Sequence, residues 1–304
     1  MAIVWVAAAG SVEPGYSGSE PGQQPYLVKE FTVEGAGILK AFTVAGNIEV
    51  QQVADSERVR VELYIERGYA IWSESRNLDN YRIYVLQRGN EIIASVEQKK
   101  KNTGFFSDKM TFSYKVYLPE KMSTELKTLG GHVKLSGVRG EHLARSHGGN
   151  IELNNLTGRI GAYTSGGSID ITKCRGTIYA QSHGGDILLD NSGGELRLKA
   201  AGGNIISTQT SGSFVARADG GNIRAQFKEV GEGISMETTA GNIYAGLPPG
   251  IGFDLFATAE RITLSDSDSF AGERNQRKLD GRLYGGGTPV RLQTQSGTVT
   301  IDIE

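Results

Sequence analysis

Gly148-Gly149-Asn150-Ile151-Glu152-Leu153-Asn154-Asn155-Leu156-Thr157-Gly158-Arg159-Ile160-Gly161-Ala162-Tyr163-Thr164-Ser165 is followed at once by Gly166-Gly167-Ser168-Ile169-Asp170-Ile171-Thr172-Lys173-Cys174-Arg175-Gly176-Thr177-Ile178-Tyr179-Ala180-Gln181-Ser182-His183. The two segments align position by position. Glycine pairs begin at Gly130, Gly148, Gly166, Gly184, Gly202 and Gly220, always 18 residues apart. A second register, Gly140, Gly158, Gly176, Gly194 and Gly212, keeps the same spacing. Each unit therefore holds two turns and two short segments, and the glycines are expected to supply positive φ or close approach that a Cβ would penalise.

Between the turns apolar and polar residues alternate, as in Asn150-Ile151-Glu152-Leu153, which is the period of a strand with one buried face. Strands this short bury that face only by stacking on the equivalent strand of the next unit, about 4.8 Å away. The expected fold is all-β: a single-stranded parallel β-solenoid with 18-residue coils. Its inward columns are Val133, Ile151, Ile169, Ile187, Ile205, Ile223; Leu135, Leu153, Ile171, Leu189, Ser207, Ala225; Ile160, Ile178, Leu196, Phe214; and Ala144, Ala162, Ala180, Leu198, Ala216. Volume is balanced within a coil, small Ser207 sharing its unit with Phe214 and Ser192 with Leu198. The third position of each unit, His132, Asn150, Ser168, Asp186, Asn204 or Asn222, is a short polar ladder suited to bonding neighbouring turn backbone.

The period lengthens after Gly220, where Lys228 to Glu232 reads as a bulge absorbing two residues before Ala240-Gly241. Strands are expected at 253–257, 261–264, 282–284, 290–293 and 299–303, with 265–278 as a charged loop. Upstream, 59–66, 81–87, 91–97 and 111–118 alternate as strands, Arg88-Gly89-Asn90 reads as a hairpin turn and Gly46-Asn47-Ile48 as a coil start. Antiparallel strands at the amino-terminal end and a carboxyl-terminal strand segment are the expected caps for the open ends. The organisation read from this is 1–25 leader, 26–120 amino-terminal strands with first coil and cap, and 121–304 repeats with closing strands. Ile3 to Ala9 is apolar and ends in Ala7-Ala8-Ala9 but lacks a positive front, so it reads either as a truncated signal peptide or as a plain disordered end. No later stretch is long and apolar enough to be a membrane span.

Val116-Tyr117-Leu118-Pro119-Glu120, Leu126-Lys127-Thr128-Leu129-Gly130-Gly131-His132-Val133, the repeated Thr164-Ser165-Gly166-Gly167-Ser168-Ile169 and the terminal Gly285-Gly286-Gly287-Thr288-Pro289-Val290 together resemble the bacterial DUF4097 family, related to GIN-type adhesin head domains. The resemblance covers roughly residues 30 to 304. It implies an extracytoplasmic protein of the periplasm, cell surface or exterior, assigns no catalytic residue and names no cofactor.

The 32 Lys and Arg against 34 Asp and Glu are interspersed, so no basic stripe points to nucleic acid. The calcium-binding β-roll pattern is missing, since only Gly184-Gly185-Asp186 sets an acid at a turn; Asp266 and Asp268 read as solvated loop. His132, His142, His147 and His183 read as turn decoration, and Cys174, in column with Val138 and Leu156, as a buried apolar group. No catalytic, metal or cofactor site is expected. The candidate binding surface is the outward ladder Arg145, Tyr163, Tyr179, Gln181, Lys199 and Arg217, whose flat rings beside cations suit a glycan, an acidic polymer or another envelope protein. The expected function is a non-catalytic envelope or surface module, an adhesin or scaffold. The alternative, a glycoside hydrolase or polysaccharide lyase on a β-helical frame, requires a carboxylate pair that these columns do not gather. Replacing Phe214 with Ala should cost about 3 to 5 kcal/mol in unfolding titrations if the columns are assigned correctly.

Overall fold

The computed structural model describes residues 24–54, 57–67, 78–99 and 110–304; the expected signal segment lies outside them. The described residues are all-β and contain no helix, and 25 strands join into one large sheet that folds back on itself as two ladders. The chain enters through β1 (Leu27–Thr32) and forms a coil from β2 (Gly37–Thr43) and β3 (Ile48–Gln52). It then leaves the stack to make β4 (Arg58–Arg67), β5 (Tyr81–Arg88), β6 (Glu91–Gln98) and β7 (Met110–Leu118). This excursion folds back over the coil. β6 pairs in parallel with β2 and β7 with β3, while β4 runs antiparallel to β7 and β1, and β5 antiparallel to β6.

The repeats follow on the opposite edge of the first coil. One ladder runs from β2 through β8 (Met122–Thr128), β10 (Arg139–Ser146), β12 (Thr157–Thr164), β14 (Arg175–Ser182) and β16 (Gly193–Ala200). The other runs from β3 through β9 (Val133–Ser136), β11 (Ile151–Asn154), β13 (Ile169–Thr172) and β15 (Ile187–Asp190). All these pairings are parallel, Val133 lying opposite Ile151, Ile151 opposite Ile169 and Ile169 opposite Ile187. β17 (Ile205–Ala218) and β18 (Ile223–Ala240) are continuous and serve both ladders. Their register shifts between Gly212 and Phe214, where the two additional residues enter the β18 strand after Val230.

At the far end β19 (Ile243–Leu247) is followed by β20 (Phe253–Thr258) and β21 (Arg261–Leu264). After them come β22 (Phe270–Arg274), β23 (Lys278–Leu283), β24 (Thr288–Ser296) and β25 (Thr298–Ile303). The last coil in sequence is not the last in space: β24 inserts between β18 and β20, and β25 between β19 and β21. β23 and β22 close the end by antiparallel pairing. The expectation that 265–278 is a loop is therefore corrected. Its residues 270–274 form an exposed edge strand, whose polar, glycine-containing sequence lacks the alternation by which buried strands are recognised.

The four inward columns are buried throughout, and the Phe214 ring meets Phe227 edge-on at 5.2 Å. Ser207, in the same repeat unit, is buried and shares a hydrogen bond with Thr210, so its hydroxyl is satisfied. One histidine departs from expectation. His142 is not at a turn but in the inward column, opposite Thr124 and Ile160, and is 3% exposed. Its Nδ1 lies 3.2 Å from the Thr124 hydroxyl, and its Nε2 has no partner. Burial disfavours the imidazolium and pulls its pKa down to about 4.

The turns are set by backbone crowding. In each glycine pair the strict requirement falls on the second member, not on Gly130, Gly148, Gly166, Gly184, Gly202 or Gly220. A Cβ on those first glycines would meet nothing nearer than 3.3 Å. Along Gly131, Gly149, Gly167, Gly185, Gly203, Gly221, Gly241 and Gly297 it would stand 1.9 to 2.4 Å from the carbonyl oxygen of the glycine in the layer before. The register from Gly140 to Gly212 has φ between 109° and 152°, the conformation expected there. A third turn register, Gly137, Asn155, Lys173, Asn191 and Gln209, is left-handed with little help from glycine.

Two hydrogen-bond ladders brace the corner. In the polar column, Asn47 Oδ1 accepts from the His132 N–H at 2.9 Å, and His132 Nδ1 accepts from Asn150 at 3.0 Å. Asn150 accepts from Ser168, Asp186 from Asn204, Asn204 from Asn222, Asn222 from Asn242 and Asn242 from Thr298, all at 2.7 to 3.0 Å. Inside, the hydroxyls of Thr128, Ser146, Thr164, Ser182, Thr238 and Thr294 each donate to a spine glycine carbonyl at 2.8 to 2.9 Å.

Gly167→Ala should therefore destabilise by roughly 2 to 5 kcal/mol, whereas Gly166→Ala should stay within about 1 kcal/mol; urea unfolding of the pair checks this. The His142 shift carries a definite sign. A base whose folded-state pKa is lowered leaves stability intact above its unfolded value of 6.5 and loses it as pH falls toward about 4. Replacing the pair by Thr124→Val and His142→Ile should remove roughly 3 kcal/mol of the acid-induced loss over that window, read from melts at pH 7 and pH 4.

Candidate functional site

Outward side chains on the ladder from β8 to β17 follow the strand register. Arg145 lies opposite Tyr163, Tyr163 opposite Gln181, Gln181 opposite Lys199 and Lys199 opposite Arg217, so five of the six expected residues form one column. Tyr179 stands one column over, opposite Gly161 and Arg197. It is tied to the first by contact: the Tyr163 and Tyr179 rings are 5.4 Å apart and tilted by 30°, and the Tyr179 hydroxyl donates to Gln181 Oε1 at 3.3 Å. The Arg145 guanidinium lies 5.3 Å from the Tyr163 ring centre. Arg145 and Lys199 make no ion pair among the described residues, while Arg217 meets Glu237 at 3.3 Å. The column continues through Lys127, whose ammonium lies 5.7 Å from the Phe42 ring. A shallow depression of about 360 Å³ opens beside Arg145, Tyr163 and Gln181, with His147 and His183 on its rim.

A larger groove, which the sequence reading does not single out, lies on the same face. It measures about 930 Å³ and runs from the 88–91 hairpin turn across β2, β8, β10, β12 and β14 to Arg197 on β16. Its centre is Gly161, the residue without a side chain in the outward column of Leu143, Gly161, Tyr179 and Arg197. The only sequence signal for it was that gap, which is inconspicuous in a chain of 42 glycines.

The opposite ladder is mostly self-paired. Lys134 meets Glu152 at 3.6 Å, and Arg224 lies 4.0 Å from the Tyr244 ring centre. Burial and then the nearby Glu152 raise the Asp170 carboxyl above its ordinary value. Tyr244 and Gln226 both bond Glu304, whose carboxyl they hold low. Leu188 and Ile206 are adjacent and exposed.

Among the described residues no group of His, Cys, Asp and Glu is arranged to hold a metal ion. Asp266 is engaged by Tyr284 and by Ser269 at 3.1 Å, and the Tyr284 hydroxyl holds its carboxyl below the usual range. Cys174 is fully buried like Val138 and Leu156, and desolvation pushes its thiol up to about 11, the reverse of a reactive thiolate. No described helix is long and apolar enough to cross a membrane.

Similarity to known proteins follows the architecture. A putative adhesin from Bacteroides fragilis is 16% identical, with 90% of this chain and 96% of that one covered and a TM-score of 0.39. A putative cell adhesion protein from Clostridium sporogenes is 12% identical, with coverage of 92% and 100% and a TM-score of 0.22. A putative lipid binding protein from Parabacteroides distasonis is 10% identical, with coverage of 90% and 96% and a TM-score of 0.29. No curated protein matches the chain. Residues 45–302 match the family described as Toastrack DUF4097, and the chain belongs to that family.

Proposed function

We propose that this chain is a non-catalytic envelope or surface module, an adhesive or scaffolding parallel β-solenoid of 18-residue coils that acts outside the cytoplasm. Residues 26–120 serve as cap and first coil, and 121–304 as the repeats with their closing strands. The working surface is the ladder of Arg145, Tyr163, Gln181, Lys199 and Arg217 with neighbouring Tyr179, and its ligand is a glycan or acidic polymer, held as one face of an envelope or extracellular partner. The observation that carries this reading is the register itself. An arginine, a tyrosine, a glutamine, a lysine and a second arginine follow one another at one strand spacing along an open sheet, so an extended polymer meets a cationic or hydrogen-bonding side chain at regular steps. Cations without acid partners at Arg145 and Lys199 favour negative charge, and the tyrosine rings favour flat apolar faces.

Affinity electrophoresis in polygalacturonate should retard the wild-type protein, and the effect should weaken with salt because exposed charges are screened. The Arg145→Ala, Lys199→Ala double variant should bind at least tenfold more weakly with an unchanged melting temperature. Equal binding by the double variant would reject the ladder, and retention of the native gene product in the cytoplasm on cell fractionation would reject the export.

A further inference from the structure

We propose that the groove centred on Gly161 binds a neutral oligosaccharide. This deepens, and rests on, the reading of the face as a glycan-binding surface; it shares Tyr163 and Tyr179 with the ladder but otherwise uses different residues and another chemistry. Three observations support it.

The first is shape. From β2 to β16 the groove crosses five strand steps, roughly 24 Å at about 4.8 Å each. Its volume of about 930 Å³ lies within the range of small-molecule sites, and the 88–91 turn forms a wall at one end. An elongated, open-ended trough of this kind accommodates an extended chain rather than a compact cofactor.

The second is the floor. A Cβ on Gly161 would stand 3.2 Å from both Leu143 Cδ1 and Tyr163 Cε2, so these side chains lean over the bare backbone. With Tyr179 at 5.4 Å from Tyr163, they form a half-buried apolar platform in mid-groove. Such platforms stack against the C–H faces of pyranose rings.

The third is charge. The ionisable carboxylates and guanidinia lining the groove are Arg88, Arg159 and Arg197 against Glu91, Glu125 and Glu141, three of each sign. Glu91 is paired with Lys40, and Arg197 with Glu195 at 2.6 Å. Arg159, Glu125 and Glu141 make no ion pair among the described residues and are exposed. An anionic ligand would meet Glu125 and Glu141, and a cationic one would meet Arg159. A chain of hydroxyls can donate to the carboxylates and accept from the guanidinium at once.

The test is titration calorimetry of the intact protein with cellohexaose, chitohexaose and mannohexaose, at low and at 0.5 M salt, with polygalacturonate in parallel. At least one neutral hexasaccharide should bind with little salt dependence. Tyr179→Ala should weaken that binding at least tenfold. Gly161→Val should do the same by filling the notch; its φ is ordinary, and the atoms 3.2 Å from the added Cβ are tips of the half-buried Leu143 and Tyr163 side chains, which can swing outward, so the variant should still unfold in one cooperative step. Absence of binding to all three neutral hexasaccharides, or undiminished binding in both variants, would overturn the proposal. Polygalacturonate binding without neutral binding overturns the groove and leaves the ladder standing; neutral binding without polygalacturonate binding supports the groove and removes the acidic-polymer reading of the ladder.

Discussion

Each layer of this molecule rests on a contact between backbones: the carbonyl oxygen of one spine glycine lies where the next glycine would carry a Cβ. Eight successive positions from Gly131 to Gly297 obey it, at would-be separations of 1.9 to 2.4 Å. Because the contact tolerates no side chain, it fixes where every turn closes and hence the register of the strands on either side. The hydroxyls that donate to spine carbonyls and the Asn47 to Asn242 ladder then satisfy the polar groups that such close packing would otherwise strand. Layer-to-layer geometry is carried by the backbone, so the outward columns are free to vary. That freedom is what leaves Arg145, Tyr163, Gln181 and Lys199 in one line without disturbing the core.

The ends impose a second constraint, since a stack of parallel strands ends in unpaired edges. Both ends use the same solution. The first coil, β2 and β3, is sandwiched between β6 and β7 on one side and β8 and β9 on the other. The last coil, β24 and β25, is sandwiched between β18 and β19 on one side and β20 and β21 on the other. Antiparallel strands lie outermost on both ladders at the amino-terminal end, and at the other end β23 and β22 cover β20, while β21 pairs with β25 alone among the described strands. Insertion makes the terminal coils depend on segments distant in sequence, so neither can be completed until the chain has doubled back. Such non-local closure slows folding, in contrast to the middle layers, which can add one after another.

The middle of the fold was legible because its determinants repeat. Two phased glycine registers, the alternation of Ile151, Leu153 and their equivalents, the polar third position and the two-residue slip after Gly220 all leave a periodic trace. What does not repeat was not legible. The interleaved ends depend on pairings that no period encodes, and β22 lacks the alternation of a buried strand. His142 was grouped with the turn histidines because its column begins to look apolar only at Ile160. The distinction between the two glycines of a pair also escaped the sequence, since both recur with equal regularity and only backbone separation tells them apart. The left-handed register at Asn155, Lys173, Asn191 and Gln209 has no shared residue type by which it could be found.

The candidate surface divides in the same way. Its ladder is a repeat feature and was named from spacing, whereas the groove is assembled from a hairpin turn near residue 90 and strands up to residue 197, brought together by the insertion of β6 beside β2. The two regions differ in charge although they share a face. In one column Arg145 and Lys199 stand without acid partners, while the groove balances guanidinia with carboxylates. Tyr163 belongs to the first by position and reaches into the second by contact, because Gly161 leaves its ring somewhere to lie. A glycine in an outward column thus does different work from a glycine in the spine: the spine residue allows layers to approach, and Gly161 makes room on the surface. Side-chain volume on this face is therefore a variable that can change independently of the stack, and that is the physical basis on which a repetitive scaffold can acquire a local site.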